Sequence, residues 1–183
     1  MESNLKETRI SSQTIYDGKL LHLEKDLVSL PNGNTAGREL IRHVGAVCMV
    51  PVLDNGDVIL EKQYRYPVEK IITEIPAGKL NSADEDRLEA AKRELREETG
   101  YTAEKWTDIG LYYPAAAYSD EKITIYLCEG LKKGERDLDD DEFLEVITMP
   151  LKKAVEMVVS GEIADGKTQA ALLKVEKILA ARN

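Results

Sequence analysis

Carboxylates dominate one short stretch of the chain, the segment RELREETG at residues 93–100. On an α-helix, Glu94 lies next to Glu98 at i+4 and next to Glu97 at i+3. Like charges on one helical edge repel one another, and the two arginines of the stretch relieve only part of that repulsion. A hard divalent cation is the natural counter-charge, because Mg²⁺ takes oxygen ligands from carboxylates and substrate phosphates. The stretch therefore indicates a magnesium site carried by a helix.

A charge-rich helical face also has a simpler interpretation, since such faces are most often solvated surface with i,i+4 ion pairs. The surroundings favour a built site. Leu88, Ala91 and Leu95 give the helix an apolar face that can be buried. Gly100 can end the helix with a left-handed cap. A strand end and tight turn at residues 75–78 precede the helix.

These residues resemble the signature of the Nudix hydrolase family, Gly-x5-Glu-x7-Arg-Glu-U-x-Glu-Glu-x-Gly-U, in which U is a bulky apolar residue. Residues 93–100 match its fixed positions, and Tyr101 fills the last bulky position. The glutamate of the pattern falls on Glu85, but Gly78 then stands one residue too far ahead. We place the extra residue in the loop at 80–84, because a loop tolerates an insertion more easily than a helix does.

The resemblance implies how the acidic helix would work. Glu94, Glu97 and Glu98 would hold two or more Mg²⁺ or Mn²⁺ ions, both of which prefer oxygen ligands. The backbone carbonyl of Ala77 would complete one metal shell. Such ions assist the attack of water on a diphosphate, so Glu97 and Glu98 are predicted to be catalytic as well as metal-binding.

A second acidic run lies at residues 137–145, ahead of an apolar segment. Acidic runs are most often solvated loops. In the ADP-ribose pyrophosphatase branch of the family, which the chain resembles, a loop at this place carries the catalytic glutamate. Matching the apolar segment puts that role on Glu142, with Asp140 and Asp141 as substitutes. A glutamate in such a loop can orient or deprotonate the attacking water.

Substrate-binding residues are implied by the same branch. The segment EKQYRYP at residues 61–67 resembles the one that supplies an arginine to the diphosphate, which makes Arg65 the predicted clamp. A guanidinium fork matches phosphate oxygens well, although a surface arginine at a strand end is the simpler interpretation. Glu74 resembles the substrate-side glutamate of the branch, and Tyr16 is the aromatic expected to stack on the base.

The remaining pattern predicts an α/β fold. The continuous apolar run at residues 45–53 is typical of a strand buried on both faces. Further strands are predicted at 58–66, 107–113 and 122–129, and amphipathic helices at 151–160 and 167–181. Strands around a central helix, followed by two helices, indicate a Nudix-type α/β/α sandwich on a mixed sheet in residues 45–183.

Residues 1–44 predict a small N-terminal antiparallel sheet, with strands at 12–16, 20–30 and 36–43. Such a sheet has too little apolar surface to be stable alone. In the ADP-ribose branch, an N-terminal sheet of this kind is exchanged within a homodimer and helps to form the substrate pocket. The resemblance therefore implies a homodimer.

The amino-acid composition limits which binding partners and which cellular compartment are expected. The formal net charge of −9 argues against a nucleic-acid partner, which requires basic surface. No apolar run reaches membrane-spanning length and no signal peptide is recognisable, so we expect a cytoplasmic protein without a membrane partner. Cys48 and Cys128 lie in apolar runs and are expected to be reduced core residues.

Together these features predict metal-dependent hydrolysis of the diphosphate linkage of ADP-ribose and related nucleoside diphosphate sugars. The products would be a nucleoside monophosphate and a sugar phosphate. A nucleoside-triphosphate pyrophosphohydrolase that sanitises the nucleotide pool is an alternative, but such enzymes resemble residues 45–183 without the N-terminal sheet. A non-catalytic sensor of ADP-ribose or nucleotide sugars is another, and it would gain nothing from closely packed carboxylates.

Overall fold

The computed structural model describes residues 4–138 and 143–182. The chain forms two compact units, and the first runs to Val44 and also includes Tyr113–Lys122. The sequence placed that loop in the main domain. It joins the first unit because Ile41 donates its N–H to the carbonyl of Tyr118 at 2.8 Å and accepts from the N–H of Asp120 at 3.2 Å. The second unit comprises Gly45–Tyr112 and continues from Ile123.

The first unit contains a three-stranded antiparallel sheet in the order β1-β2-β3. Its strands are β1 (Thr8–Asp17), β2 (His22–Ser29) and β3 (Thr35–Arg42). The predicted strands are present, but β1 begins at Thr8 rather than at Ser12. All of β1 is exposed, which is the reason that its polar first half gave no hydrophobic alternation.

The second unit contains two sheets, one of four strands in the order β7-β4-β9-β8 and one of three strands in the order β10-β5-β6. The strands are β4 (Ala46–Pro51), β5 (Asp57–Arg65), β6 (Lys70–Glu74), β7 (Ala77–Lys79), β8 (Tyr101–Tyr112), β9 (Ile123–Lys133) and β10 (Leu144–Pro150). The helices are α1 (Arg87–Thr99), α2 (Leu151–Ser160) and α3 (Gly166–Ala180). Because β4 pairs in parallel with β9 and antiparallel with β7, the four-stranded sheet is mixed.

Helices cover both faces of β4, whose residues are all buried. Side chains alternate between faces along a strand. Cys48 and Val50 join a core cluster with Leu172 of α3, so α3 covers that face, and α1 also packs against β4. This arrangement confirms the predicted α/β/α sandwich on a mixed sheet. No helix in the described part of the chain is both long and apolar enough to span a membrane.

Strand β8 differs most from its prediction, because it begins at Tyr101 rather than at Thr107. It pairs with β9 along the added length, and Lys105 Nζ donates to Glu129 across the pair at 2.8 Å. Charged cross-strand pairs stabilise a sheet without producing an apolar alternation. The hydrophobic pattern therefore missed this half of the strand.

Both cysteines are buried and free, as predicted. Burial disfavours the thiolate, which raises the pKa of Cys48 to about 12 and also raises the pKa of Cys128. These thiols are therefore protonated core groups at neutral pH rather than nucleophiles.

Candidate functional site: an acidic helix edge beside a buried chain of charges

Both ends of α1 are capped by the chain itself. Asp86 accepts hydrogen bonds from the N–H groups of Leu88 and Glu89 at 2.9 and 3.0 Å. At the other end Gly100 adopts a φ of 76° and donates its N–H to the carbonyl of Arg96 at 2.9 Å, which confirms the predicted left-handed cap. The helix thus has a fixed start and end, which define the positions of its carboxylates along the helix.

The buried face of α1 fixes which side chains face the sheet. Ala91 and Leu95 are inaccessible to solvent, as predicted, whereas Leu88 is half-buried near the start of the helix. Glu98 is also buried, with 6% of the residue exposed. A buried glutamate among apolar residues requires hydrogen-bond or charge partners.

The carboxylate edge comprises Glu94, Glu97 and Glu98. Arg93 Nη1 donates to Glu94 Oε1 at 2.7 Å and to Glu97 Oε2 at 3.1 Å. Glu98 Oε2 accepts the backbone N–H of Ala77 at 3.0 Å. Arg93 therefore holds the side chains of Glu94 and Glu97 through hydrogen bonds within α1. Glu98 links α1 to the start of β7.

Gly78 lets the backbone of β7 approach the edge closely. A Cβ on Gly78 would lie 1.9 Å from Cδ of Glu94, so any other residue would displace that carboxylate. The carboxylate of Glu94 therefore lies directly against the backbone segment that includes Ala77 and its carbonyl. Carboxylate oxygens beside a backbone segment form the hard-oxygen donor set that suits Mg²⁺.

Arg93 contacts two of the three carboxylates of the edge. Within residues 4–138 and 143–182, no three acidic, histidine or cysteine side chains are already gathered as a metal cluster. The guanidinium of Arg93 lies instead between Glu94 and Glu97 and occupies their oxygens. The oxygen donors of the edge are of the type that a hard cation prefers. Binding of such a cation would replace part of the contacts that these oxygens make with Arg93.

Glu85 lies outside α1, in the loop that precedes it. Its Oε1 is 3.4 Å from Nη2 of Arg93, and its Oε2 accepts the backbone N–H of Asn81 at 2.5 Å. Glu85 therefore contacts Arg93 through Nη2, whereas Glu94 and Glu97 contact it through Nη1. The inserted residue between Gly78 and Glu85 falls in non-helical chain, as expected.

A second cluster, here the charge chain, comprises Arg65, Glu74, Lys167 and Asp165. Arg65 donates from Nε to Glu74 Oε1 at 2.7 Å and from Nη2 to Glu74 Oε2 at 3.1 Å. Lys167 Nζ also donates to Glu74 Oε2, and to Asp165 Oδ2 at 3.1 Å. Cations and carboxylates alternate along this chain, and its four formal charges sum to zero.

Exposure to solvent is greatest at the Arg65 end of the charge chain. The side chains of Glu74 and Lys167 are 4% and 11% exposed, whereas that of Arg65 is 42% exposed. Burial disfavours the charged form of both cations, but the adjacent carboxylates outweigh it, so the pKa values of Arg65 and Lys167 lie above their ordinary values. Both cations are therefore charged at neutral pH.

Residues 74–77 connect the two clusters. Glu74 belongs to the charge chain, and the N–H of Ala77 donates to Glu98 of the carboxylate edge. Between them, the N–H of Ile75 donates to the buried hydroxyl of Thr168 at 3.0 Å. Glu98 also acts on Arg65 electrostatically and favours its charged form. The structure thus brings Arg65, Glu74, Ala77 and the carboxylate edge into one neighbourhood.

The other predicted site residues belong to different parts of the chain. Tyr16 lies on β1 of the first unit and is 58% exposed. Glu142, together with its substitutes Asp140 and Asp141, lies outside the described residues. Conversely, Lys167 and Asp165 were missed, because the sequence assigned residues 167–181 to scaffold and Asp165 to the segment between the two predicted helices. The Asp165–Thr168 spacing resembles a helix cap, and only tertiary structure brings the lysine to Glu74.

Several proteins of known family or structure are similar to this chain. Residues 42–170 match the family described as NUDIX domain. A Bacillus subtilis (strain 168) protein named ADP-ribose pyrophosphatase is 43% identical over 171 residues, covering 92% of this chain and 92% of its own length. A Bacillus methanolicus protein named methanol dehydrogenase activator is 38% identical over 169 residues, covering 91% of each chain. A solved structure described as an ADP compounds hydrolase has a TM-score of 0.88 at 25% identity, covering 100% of this chain and 99% of that chain.

Proposed function

Because the chain belongs to the Nudix family, we propose that it hydrolyses the diphosphate linkage of ADP-ribose and related nucleoside diphosphate sugars. Water adds to one phosphorus, the bridging P–O bond breaks, and the products are a nucleoside monophosphate and a sugar phosphate. The names of two similar proteins, an ADP-ribose pyrophosphatase and an ADP compounds hydrolase, support this substrate class. The presence of an N-terminal sheet supports it over a triphosphate hydrolase.

The observation that carries the proposal is the position of Arg65 beside the carboxylate edge. Glu74 holds the Nε–Nη2 side of the guanidinium. The opposite end, Nη1 with the second Nη2 hydrogen, donates to no other described residue. That end can donate to two phosphate oxygens at once. A diphosphate bound there would have its bridging bond close to Glu98.

Nudix hydrolases generally require divalent cations such as Mg²⁺. For this chain we propose Mg²⁺ or Mn²⁺ as the cation, with two or more ions held by Glu94, Glu97, Glu98 and the carbonyl of Ala77. A cation in this position neutralises phosphate oxygens and lowers the pKa of the attacking water. Glu97 and Glu98 are accordingly proposed to be catalytic. The close approach of Gly78 to Glu94 supports this donor set.

Two further roles are proposed from the family resemblance. Glu142 would orient or deprotonate the attacking water, with Asp140 or Asp141 as substitutes. Tyr16 would stack on the base. The exposure of the Tyr16 ring is compatible with a ligand-facing position.

We also propose a homodimer in which residues 1–44 form a subdomain that contributes to the substrate pocket of residues 45–183. Strand β1 supports this proposal, because it is exposed throughout and carries Ile10 and Ile15, which are 55% and 50% exposed. An exposed strand with apolar side chains on a sheet edge favours pairing or packing against another chain. A cytoplasmic location is proposed in addition, supported by two thiols that remain unpaired.

A substrate panel tests the proposed function. The purified protein is incubated with Mg²⁺ and ADP-ribose, other nucleotide sugars, dinucleotides or nucleoside triphosphates, and the products are resolved by chromatography. We expect ADP-ribose to yield AMP and ribose 5-phosphate. Preferred release of pyrophosphate from triphosphates would replace this function with the nucleotide-sanitising alternative, whereas binding of ADP-ribose without cleavage would indicate a sensor.

A further inference from the structure

We propose that Lys167 is a positioning residue for diphosphate binding, which acts through Glu74 to keep the end of Arg65 available to the substrate. This inference rests on the proposed function, because it concerns how the same site holds its ligand. It assigns a role in the site to the first turn of α3, which sequence reasoning treated as scaffold.

Charge arithmetic in the buried cluster is the first argument. With Lys167 present, the two cations and two carboxylates of the charge chain cancel. Without it, the net charge becomes −1 beside Glu98, at the place where an anionic diphosphate must enter. Low-dielectric surroundings make one uncompensated charge more repulsive than it would be in water. Lys167 therefore sets the sign of the local potential that the substrate meets.

Hydrogen-bond geometry is the second argument. Glu74 Oε2 is shared between Nη2 of Arg65 and Nζ of Lys167. The carboxylate is thus held from two directions, and Arg65 engages it through one side only. If Lys167 were removed, Glu74 would keep Arg65 as its main cationic partner, and the pair would bind each other more exclusively. Arg65 would then bind the diphosphate less well.

The attachment of Lys167 to the fold is the third argument. Asp165 caps α3 by accepting the N–H of Thr168 at 2.9 Å, and it also accepts from Lys167 at 3.1 Å. The hydroxyl of Thr168 is bonded to the N–H of Ile75, the residue next to Glu74. Lys167 is therefore fixed relative to the strand that carries its target, as positioning of a charge requires.

Steady-state kinetics with ADP-ribose and saturating Mg²⁺ test the inference through a double-mutant cycle. We expect Lys167→Met to raise KM about tenfold or more, as expected when a buried charge loses its partner, with a much smaller change in kcat. In a Glu74→Gln background the same substitution should raise KM by a clearly smaller factor, because the carboxylate through which Lys167 acts on Arg65 is then neutral and only Asp165 loses its cationic partner. Lys167→Arg should restore most of the affinity.

Several results would overturn the inference. A direct contact between Lys167 and the substrate predicts the same KM increase in both backgrounds, and a merely structural role predicts that Lys167→Arg does not rescue. Lys177→Met, on the exposed side of α3, is the matched control and should leave KM and the unfolding midpoint unchanged. If Lys167→Met does not fold, the double variant must fold and bind, since it loses one charge of each sign; an unfolded double variant contradicts the charge argument.

Failure of the proposed function is recognised separately. If the wild-type chain cleaves no member of the substrate panel, the proposed function fails while the charge argument is judged by calorimetry with inorganic pyrophosphate. A loss of pyrophosphate affinity in Lys167→Met that is clearly smaller in the Glu74→Gln background supports the inference. Equal pyrophosphate affinity in wild type and Lys167→Met overturns it, whatever the protein hydrolyses.

Discussion

The carboxylate edge and the charge chain lie in the same unit and handle charge in opposite ways. The edge gathers three carboxylates around Arg93 and Arg96 on a single helix, so negative charge remains in excess. The charge chain alternates cations and carboxylates drawn from β5, β6 and the start of α3, and its formal charge is zero. The first arrangement is suited to bind a cation, whereas the second fixes a cationic group of the kind that is suited to bind an anion.

The two clusters assign chemistry and positioning to different groups of residues. An excess of carboxylates is costly in the folded chain unless a cation joins it, so the edge is the part expected to depend on a ligand. A balanced buried chain is complete without a ligand and can keep Arg65 in one orientation beforehand. Substitutions in the edge should therefore affect turnover, and substitutions in the charge chain should affect affinity and stability.

Glu98→Gln is expected to have the largest effect. It removes one negative charge from the edge and keeps an oxygen that can accept from the N–H of Ala77. We expect kcat for ADP-ribose to fall by about two to three orders of magnitude, the loss typical of one preorganised electrostatic group. Circular dichroism and the thermal midpoint should change little. Glu89→Gln, at an exposed position of α1, is the control, and equal losses in the two variants would contradict a special role for the edge.

Arg65→Ala should act mainly on affinity. Removing the guanidinium deletes the proposed contacts with the diphosphate, and we expect KM to rise about 10- to 100-fold, the range for hydrogen bonds to charged groups. If the contact is equal in the ground and transition states, kcat stays close to the wild-type value. Arg65→Lys keeps the charge but loses the fork and should recover only part of the affinity. Unchanged KM and kcat in Arg65→Ala would remove this residue from the site.

The two clusters also differ in how far the sequence could predict them. The edge is local, because helical periodicity alone makes Glu94 a neighbour of Glu97 and Glu98. The role of residue 77 beside the edge was predicted only from the family resemblance. The structure adds that the N–H of Ala77 donates to Glu98 and that Gly78 lets the backbone approach Glu94. Helix bounds followed caps and glycines, so α2 and α3 lie close to their predicted ranges.

The charge chain could be predicted only in part. Resemblance pointed to Arg65 and Glu74 separately. The β5–β6 register sets Arg65 opposite Lys70 and Glu74 opposite Glu61, so their ion pair requires the long arginine side chain to reach along the sheet. Lys167 reaches Glu74 from a helix ninety-three positions away, and no local pattern in the sequence encodes that approach. Contacts between distant elements depend on packing, which periodicity and turn residues do not specify.

Thr168→Val tests how much the hydroxyl that links the two clusters contributes to the free energy of unfolding. The hydroxyl of this fully buried residue donates to Asp165 Oδ2 at 2.6 Å and accepts the N–H of Ile75 at 3.0 Å. Valine has a similar shape but leaves that buried N–H without its partner, at a cost of about 1–3 kcal/mol. Urea unfolding should report this loss, with a lower midpoint and an unchanged m-value. Thr168→Ser retains the hydroxyl, and a loss in serine as large as in valine would assign the cost to packing instead.

Alkaline pH should produce the smallest effect and should act on the charge chain through Lys167. Its pKa in the folded protein is raised: burial works against the charge, but Asp165 and Glu74 outweigh it. A raised pKa means that the stabilisation is fully present below the ordinary lysine value of about 10.4 and is lost as pH rises through the folded pKa. The difference in unfolding free energy between wild type and Lys167→Met should therefore be constant from neutral pH to about pH 10 and shrink above it. Urea titrations at fixed pH values measure this difference, and Lys177→Met supplies the baseline for an exposed lysine. A difference that grows with pH above about pH 10 would mean that the folded protein disfavours the charged form of Lys167. The charge chain would then not be a balanced cluster, and its contrast with the carboxylate edge would fail.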